Sequence, residues 1–396
     1  MDKLTVRDIE VNEKRILVRV DFNVPLDEKT GAITDDSRIR ASLPTIKYLI
    51  DQGARVILAT HLGRPKGKVD SRFRLTVVAQ RLSQLLGRQV GVTNNCIGAE
   101  TEKSIKTLKS GDIILLENLR FHSAEEMASP VFARALAKFA DVYVNDAFGT
   151  SHRSHTSIVS VSEILPAVAG LLLEKELNTL GSILESPAHP FAALLGGAKV
   201  SDKVGMVENT LTKVDRLLIG GGMAATFLKA GGQEVGRSLI EEDRLETAAN
   251  LLKKISESGV RLLLPVDVVV ADDIDKEAGV VVVKVNNITP EQRIADIGPQ
   301  TRKVFYAELR RCRTIFWNGP MGVYEKKRFA EGTQAMAKLL AGIQATTIIG
   351  GGSTAEVVTN MGLADKMTFV STGGGASLKY LGGEPLPGVE ALLKRE

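Results

Sequence analysis

Three glycine triplets, each closing a short apolar run, stand in the second half of the chain: 217–225 (LLIGGGMAA), 346–355 (TTIIGGGSTA) and 367–378 (MTFVSTGGGASL). In the last of these Met367, Phe369 and Val370 read as a buried strand that Ser371 and Thr372 end. Gly373, Gly374 and Gly375 follow, and ASLKYL then reads as a helix. Glycine lets the backbone approach a ligand, and the unpaired N–H groups of a helix start carry partial positive charge, so the pattern makes a phosphate cradle. One such turn is equally well explained as a tight connection; three in one half are not. At 196–203 (GGAKVSDK), Lys199 and Lys203 lie four apart at a helix start, where they oppose the dipole and a bound polyanion is the natural compensation. Gly220, Gly221 and Gly222, with Gly350, Gly351 and Gly352, would admit a base and its phosphates. The stretch 317–324 (WNGPMGVY) with Glu325 offers apolar walls and a carboxylate for ribose hydroxyls. Together these point to a nucleotide.

The first half carries a different chemistry. Asp21, Phe22, Asn23, Val24 and Pro25 follow one apolar run; His61, Leu62, Gly63 and Arg64 follow another; Glu117, Asn118, Leu119 and Arg120 a third; and Asn145 to Gly149 a fourth, with His152, Arg153 and His155 beyond. Arg38 falls in the first turn of the next helical pattern. A single arginine of this kind is usually a solvated charge. Four on one rim suit a small ligand bearing a phosphate and a carboxylate, which guanidinium forks bind through paired hydrogen bonds. Asp21 and Asn23 then suit substrate hydroxyls. The histidines read as hydrogen-bonded packing near the pocket rather than metal ligands, because their neighbours are cations.

The elements that must place these residues alternate throughout. Apolar runs at 15–20, 55–59, 112–116 and 141–144 are separated by amphipathic patterns at 37–52, 75–86 and 130–140. The second half repeats the plan with runs at 191–195, 216–219, 261–265, 280–285, 314–317, 346–349 and 367–370. Buried strand alternating with helix means parallel sheets covered on both faces, and such sheets bind ligands beyond the carboxyl ends of their strands. The predicted organisation is an N-terminal domain over 1–170, a connecting helix over 171–186, a C-terminal domain over 187–379, and a tail over 380–396 that folds back on the first domain.

Composition bounds the reading. The 396 residues exceed one ordinary core, and 44% hydrophobic with 25% charged residues is typical of soluble globular chains. A net charge of +4 is too mild to imply a nucleic-acid partner. No apolar run reaches the roughly 18 to 20 residues a membrane span needs, and the N-terminus lacks a signal-peptide core. Cys96 and Cys312 are isolated, which favours a reducing compartment over a disulfide scaffold. A cytoplasmic protein is expected. Two motifs mislead: GGGMAA and GGGSTA satisfy the loose dinucleotide pattern, with Glu241 as a distant acid, so a nicotinamide oxidoreductase is the competing class. It leaves the lysines and arginines unexplained. The Walker-like 63–69 (GRPKGKV) is one residue short and ends in Val69 where a hydroxyl is needed.

With VDFNVP (20–25), HLGRP (61–65), NDAFGTSHRSH (145–155), LGGAKVSDK (195–203), IGGGMA (219–224), WNGPMGVYE (317–325) and TGGGAS (372–377) in family order, the chain closely resembles phosphoglycerate kinases over essentially its whole length. The resemblance implies two Rossmann-like α/β domains, each a parallel sheet flanked by helices, facing each other across a cleft. It also implies a glycolytic monomer that reversibly transfers a phosphoryl group from 1,3-bisphosphoglycerate to ADP, with Mg2+, giving 3-phosphoglycerate and ATP. By the same resemblance Asp21, Phe22, Asn23, Arg38, His61, Leu62, Gly63, Arg64, Arg120 and Arg153 hold the phosphoglycerate. Lys203, Gly221, Gly222, Asn318, Glu325, Gly351, Gly352, Ser353 and Thr354 hold the nucleotide. Arg38, Lys199, Gly373, Gly374 and Gly375 meet the phosphoryl group in flight.

That chemistry needs no general base, because the attacking oxygen of ADP or of the carboxylate is already ionised; alignment and fixed positive charge must suffice. One position departs from the family. Its usual GGGD, whose aspartate meets the nucleotide's magnesium, is GGGS here, with Ser353 a neutral and weaker ligand. No metal ligand is therefore certain, and a nucleotide-binding paralogue impaired in catalysis is the second alternative.

Overall fold

The computed structural model describes residues 2–276 and 279–395. The chain forms two compact units: residues 1–178 with 385–396, and residues 179–384. The helix Leu171–Glu185 runs from the first into the second.

The first unit is built on a six-stranded, wholly parallel sheet. Its strands are β1 (Arg15–Val20), β2 (Arg55–Ala59), β3 (Gly91–Val92), β4 (Ile113–Leu115), β5 (Val142–Asp146) and β6 (Ala167–Ala169), in the order β3-β4-β2-β1-β5-β6. Short runs such as RILVRV become strands because both faces are covered, and every residue of β1 after Arg15 is buried. Ile16, Val18, Val56, Leu58, Leu115 and Val144 share one core with Ile39, Ile46 and Leu49 of the helix Ser37–Asp51. That helix turns slightly from the predicted face. Leu43 and Ile50 are only partly buried while Ser42 and Thr45 face inward, because their hydroxyls lie beside the buried Asp146 carboxyl. The C-terminal segment packs on this unit. Lys3 Nζ donates to the Glu390 and Leu392 carbonyls, each at 3.1 Å, and Asn145 Nδ2 donates to Gly388 O at 2.8 Å.

The second unit has its own parallel sheet of β7 (Phe191–Leu195), β8 (Arg216–Ile219), β9 (Arg261–Leu263), β13 (Thr314–Asn318), β14 (Thr346–Gly350) and β15 (Phe369–Val370), in the order β15-β14-β13-β7-β8-β9. It also contains a feature the sequence reading did not anticipate: an antiparallel sheet, β11-β10-β12, of β10 (Asp267–Ala271), β11 (Val281–Lys284) and β12 (Arg293–Ile297). The valine-rich run at 280–285 was expected in the main parallel sheet. It is an edge strand of this small sheet, with Val281 and Val282 exposed, so a continuous apolar run did not here mean burial on both faces.

Candidate functional site

In the first unit β1, β2, β4 and β5 run parallel, so their carboxyl ends share one edge, and the arginine-rich segments lie there. Asp21 leaves β1 buried and accepts a hydrogen bond from Arg38 Nη1 at 2.6 Å. Arg38 is the second residue of the helix Ser37–Asp51, and its side chain is about one-third exposed. Asn23 Oδ1 accepts from the Gly63 N–H at 2.8 Å, tying the β1 loop to the β2 loop. Arg120 is only 5% exposed, donates to Gly63 O at 2.9 Å, and stands 3.0 Å from Glu126, too poorly angled for a hydrogen bond. Arg64 is exposed and Arg153 half-buried.

Two of the expected residues are core side chains: Phe22 and Leu62 are buried, and their N–H groups donate to Thr60 Oγ1 and Asn118 Oδ1.

Behind this edge lies a buried polar network that the sequence reading missed. Arg19, 1% exposed within β1, donates from Nε to Ser157 Oγ at 2.8 Å and from Nη2 to His61 Nδ1 at 3.2 Å, and Nη1 contacts the Val20 carbonyl. Ser157 in turn donates to the buried Glu125 from Oγ at 2.6 Å and from N at 3.0 Å. Burial raises the Glu125 pKa, opposed by the Arg19 charge. Burial, then the charges of Arg19, Arg120, Arg38 and Arg153, hold His61 well below the ordinary histidine value, and burial with the charges of Arg120, Arg153, Arg19 and His152 brings His155 to about 4. Both imidazoles are neutral at pH 7, which makes His61 a hydrogen-bond donor or acceptor and not a charge. An arginine in an otherwise apolar strand was the available signal for Arg19; Glu125, in a short turn, offered none.

In the second unit a cavity of about 650 Å3 opens among the strand ends. Gly197, Gly221, Gly222, Ser353, Tyr324 and Glu325 line it, and Leu239, Ile240, Ile274, Ile294 and Val323 give it an apolar wall. The size and mixture suit a ligand with a flat apolar part and a polar tail. The structure moves three predicted features. The segment 196–203 is a turn, and the helix begins only at Val204 with Lys203 as its N-cap, so Lys199 lies ahead of the helix and not in it. Glu241 explains the shape: its carboxylate accepts from the Val200 and Ser201 N–H groups and from Ser201 Oγ at 2.5, 3.0 and 2.6 Å. This ties Glu241 to the turn and removes the acid that the dinucleotide pattern required. Second, Trp317 is fully buried, donating to Gly319 O at 2.9 Å, and belongs to the core rather than the cavity wall. Third, Thr354 is buried, and its Oγ1 accepts from the Gly319 N–H at 2.7 Å.

Lys203 is 6% exposed, burial lowers its pKa, and its ammonium approaches Gly197; Lys199 is exposed. The glycines divide by cause. Gly221 has φ +63°, and a Cβ there would stand 2.5 Å from Pro320 O, so this glycine is required by the chain packing on itself. Gly352, first residue of the helix Gly352–Asn360, has open space where a Cβ would be. Gly374 opens the helix Gly374–Leu381, with Gly373 as its N-cap, and a Cβ at Gly374 would lie 3.3 Å from Gly352 N. The two triplets at 350–352 and 373–375 therefore adjoin. Asn318, at the end of β13, is 3% exposed with Nδ2 lacking a hydrogen-bond partner, and it lies beside Gly350 and Gly351.

Parallel sheets in two units, one edged with arginines and the other opening on a glycine-lined cavity with lysines nearby, define a two-domain α/β phosphotransferase of small molecules. Comparison with known proteins makes this specific. The family model described as phosphoglycerate kinase matches residues 6–384. Phosphoglycerate kinase of Moorella thermoacetica is 54% identical over 395 residues, covering 100% of both chains, and that of Pelotomaculum thermopropionicum is 53% identical with the same coverage. The solved structure of phosphoglycerate kinase from Coxiella burnetii superposes with TM-score 0.85 at 40% identity over 98% of each chain. That from Pyrococcus horikoshii does so with TM-score 0.83 at 34% identity, also over 98% of each. The chain belongs to the phosphoglycerate kinase family. No helix among the described residues is long and apolar enough to cross a membrane.

Proposed function

We propose that the arginine edge of the first unit binds 3-phosphoglycerate or 1,3-bisphosphoglycerate, that the cavity of the second binds ADP or ATP, and that one phosphoryl group passes reversibly and in line between them. The observation that carries this reading is the convergence of Arg19, Arg38, Arg120 and Arg153 on His61, whose proton affinity all four depress. Such a field suits a ligand with several negative charges. Asp21, anchored to Arg38, and Asn23, anchored to the loop after β2, are the acceptors available to its hydroxyl. In the second unit Glu325 suits the ribose, the glycines and Asn318 the phosphates, and Lys203 the anionic tail.

The attacking oxygen is ionised in either direction, so no side chain need take a proton. Arg38, Lys199 and the N–H groups at the start of the helix Gly374–Leu381 supply positive charge to the equatorial oxygens of the group in transit. At about 4 Å and an effective dielectric near 20, each such charge pair contributes roughly 4 kcal/mol before desolvation. The acyl phosphate must also be kept from water while the two ligands meet.

Among the described residues no group of three or more His, Cys, Asp or Glu could hold a metal ion. The cavity offers instead the neutral oxygen of Ser353 and the Glu325 carboxylate. This donor set fits a magnesium ion brought in on nucleotide phosphates, which would neutralise charge on the bridging oxygens, with Ser353 as its protein neighbour. Two buried cysteines outside any disulfide suit a reducing cytoplasm, and a monomer is the expected state. A coupled steady-state assay with 3-phosphoglycerate and MgATP tests the whole. Turnover in both directions is expected, whereas binding of both ligands without turnover would leave a nucleotide-binding paralogue instead.

A further inference from the structure

Beneath the cavity of the second unit sits a carboxylate with no place in the reaction. Asp296, on β12, is 1% exposed. Its Oδ1 accepts from the Ile297 N–H at 2.8 Å, and its Oδ2 accepts from the Gly332 N–H at 2.7 Å, at the start of the helix Glu331–Gly342. Two separate stretches of chain are moulded around it. A Cβ at either Gly322 or Gly332 would collide with Oδ1, so both positions are glycine because the carboxylate occupies that space. Gly322 belongs to the loop that carries Val323, Tyr324 and Glu325 into the cavity, and Val323 N donates to Ala295 O, next to Asp296, at 2.8 Å. Arg302 and Glu331, which face the group from the two adjoining helices, are bonded to each other at 2.5 Å, leaving the aspartate to the backbone N–H groups.

The geometry points to Asp296 as a positioning residue for nucleotide binding: its carboxylate bonds the start of the helix Glu331–Gly342 to β12 and fills the space that Gly322 leaves, and so seats the loop whose wall of the cavity ends in Glu325. This inference rests on the reading of the cavity as the nucleotide site. A carboxylate is needed because it presents two acceptor oxygens to two N–H donors. An amide of the same shape has one, and its NH2 would face the other donor. Burial raises the Asp296 pKa to about 7, opposed by the Gly332 and Ile297 N–H groups and then by the Arg302 charge.

The test is calorimetric titration of the full chain with ADP and, separately, with 3-phosphoglycerate, for the wild type, Asp296→Asn and Gly332→Ala. In Asp296→Asn the loss of one charge-assisted bond behind the wall should weaken ADP roughly tenfold, with 3-phosphoglycerate affinity within twofold of wild type and KM for the nucleotide rising more than kcat falls. Gly332→Ala, which displaces the same carboxylate without removing it and does not line the cavity, should reproduce that split and decides the matter if Asp296→Asn does not fold. Unchanged ADP affinity in a cooperatively folded variant overturns the inference. Equal weakening of both ligands also overturns it, by showing a general structural role. If the wild type itself binds no ADP, the cavity assignment fails first, and the two failures are thereby told apart.

Discussion

Arg19 and His61 form a buried pair in which guanidinium Nη2 donates to imidazole Nδ1 at 3.2 Å. Because Nδ1 accepts, the single proton of the neutral ring must lie on Nε2, so the ring can donate a hydrogen bond from that atom. Arg19 therefore sets the chemical identity of His61 without being at the surface itself. Its other bonds run to Ser157 and through it to Glu125, so the strand arginine ties the arginine edge to a buried acid.

Replacing Arg19 with leucine should act twice. His61 loses the partner that fixes its tautomer, and KM for 3-phosphoglycerate should rise about tenfold or more, the worth of a charge-assisted hydrogen bond. Glu125 loses the charge that most favours its ionised form, and leaving a buried carboxylate without it should lower stability by about 3 to 5 kcal/mol. Denaturant melts measure the second effect. Nitrogen-15 shifts of the His61 ring measure the first, and an unchanged Nε2–H signature in the variant would separate the ring from Arg19.

Lys199 is an exposed residue in the turn ahead of its helix, held by neighbours that Glu241 fixes. Removing an electrostatic contact made mainly in the transition state lowers turnover more than affinity, so Lys199→Ala should reduce kcat by about 100- to 1,000-fold with little change in the nucleotide KM. Lys203, buried and beside Gly197, should behave oppositely: Lys203→Ala should raise the nucleotide KM first. Steady-state kinetics on the pair distinguishes the two roles, and equal effects on KM in both would undo the distinction.

The architecture was legible where periodicity and burial agree. β1, β2, β7 and β8 lie where apolar runs placed them, because central parallel strands must be apolar on both faces. Edges were uneven: β9 and β15 fall inside the apolar runs at 261–265 and 367–370, but β3 and β6 are too short to stand out, and the exposed β11 reads like a core strand. At the sites, residue type announced the arginines and glycines, which chemistry requires in the open. It did not announce Trp317, whose indole lies under the loop and not in the cavity, because a sequence shows which residues adjoin but not which way a strand end faces. Nor did it reveal Glu125 or Asp296. A buried acid is defined by the N–H and O–H groups that fold around it, and those come from distant parts of the chain.

Ser353 stands on the second residue of the helix Gly352–Asn360, at the cavity surface and within reach of the Tyr324 hydroxyl. With a neutral oxygen at this position the ion depends on the nucleotide for most of its charge, so a relatively high magnesium requirement is expected. Ser353→Asp supplies a carboxylate near a helix N-terminus, where it is also favoured by the dipole. Magnesium titration of the coupled assay should show half-saturation at a lower concentration in the variant. An identical titration curve would exclude residue 353 from the ion's surroundings.

Asp146 ends β5 fully buried, its Oδ1 accepting from Leu172 N and Leu173 N at 3.0 and 3.4 Å at the start of the helix Leu171–Glu185. Its Oδ2 makes no hydrogen bond of good geometry, and burial raises the pKa to about 7, against the lowering influence of Thr45 and Ser42. In the unfolded chain an aspartate ionises near 3.9, so between about pH 4 and 7 the folded state binds the extra proton and stability from this group falls as pH rises. Above pH 7 the folded carboxylate is ionised as well, and the full penalty remains, of order a few kcal/mol at most. Asparagine keeps an acceptor for the two N–H groups and cannot ionise. Asp146→Asn should therefore raise the Tm at pH 8 and have a smaller effect at pH 5, with the difference tracing the titration. If the variant melts lower by the same amount at both values, Asp146 is ionised and well solvated by its hydrogen bonds across the whole range, and the burial penalty is not expressed.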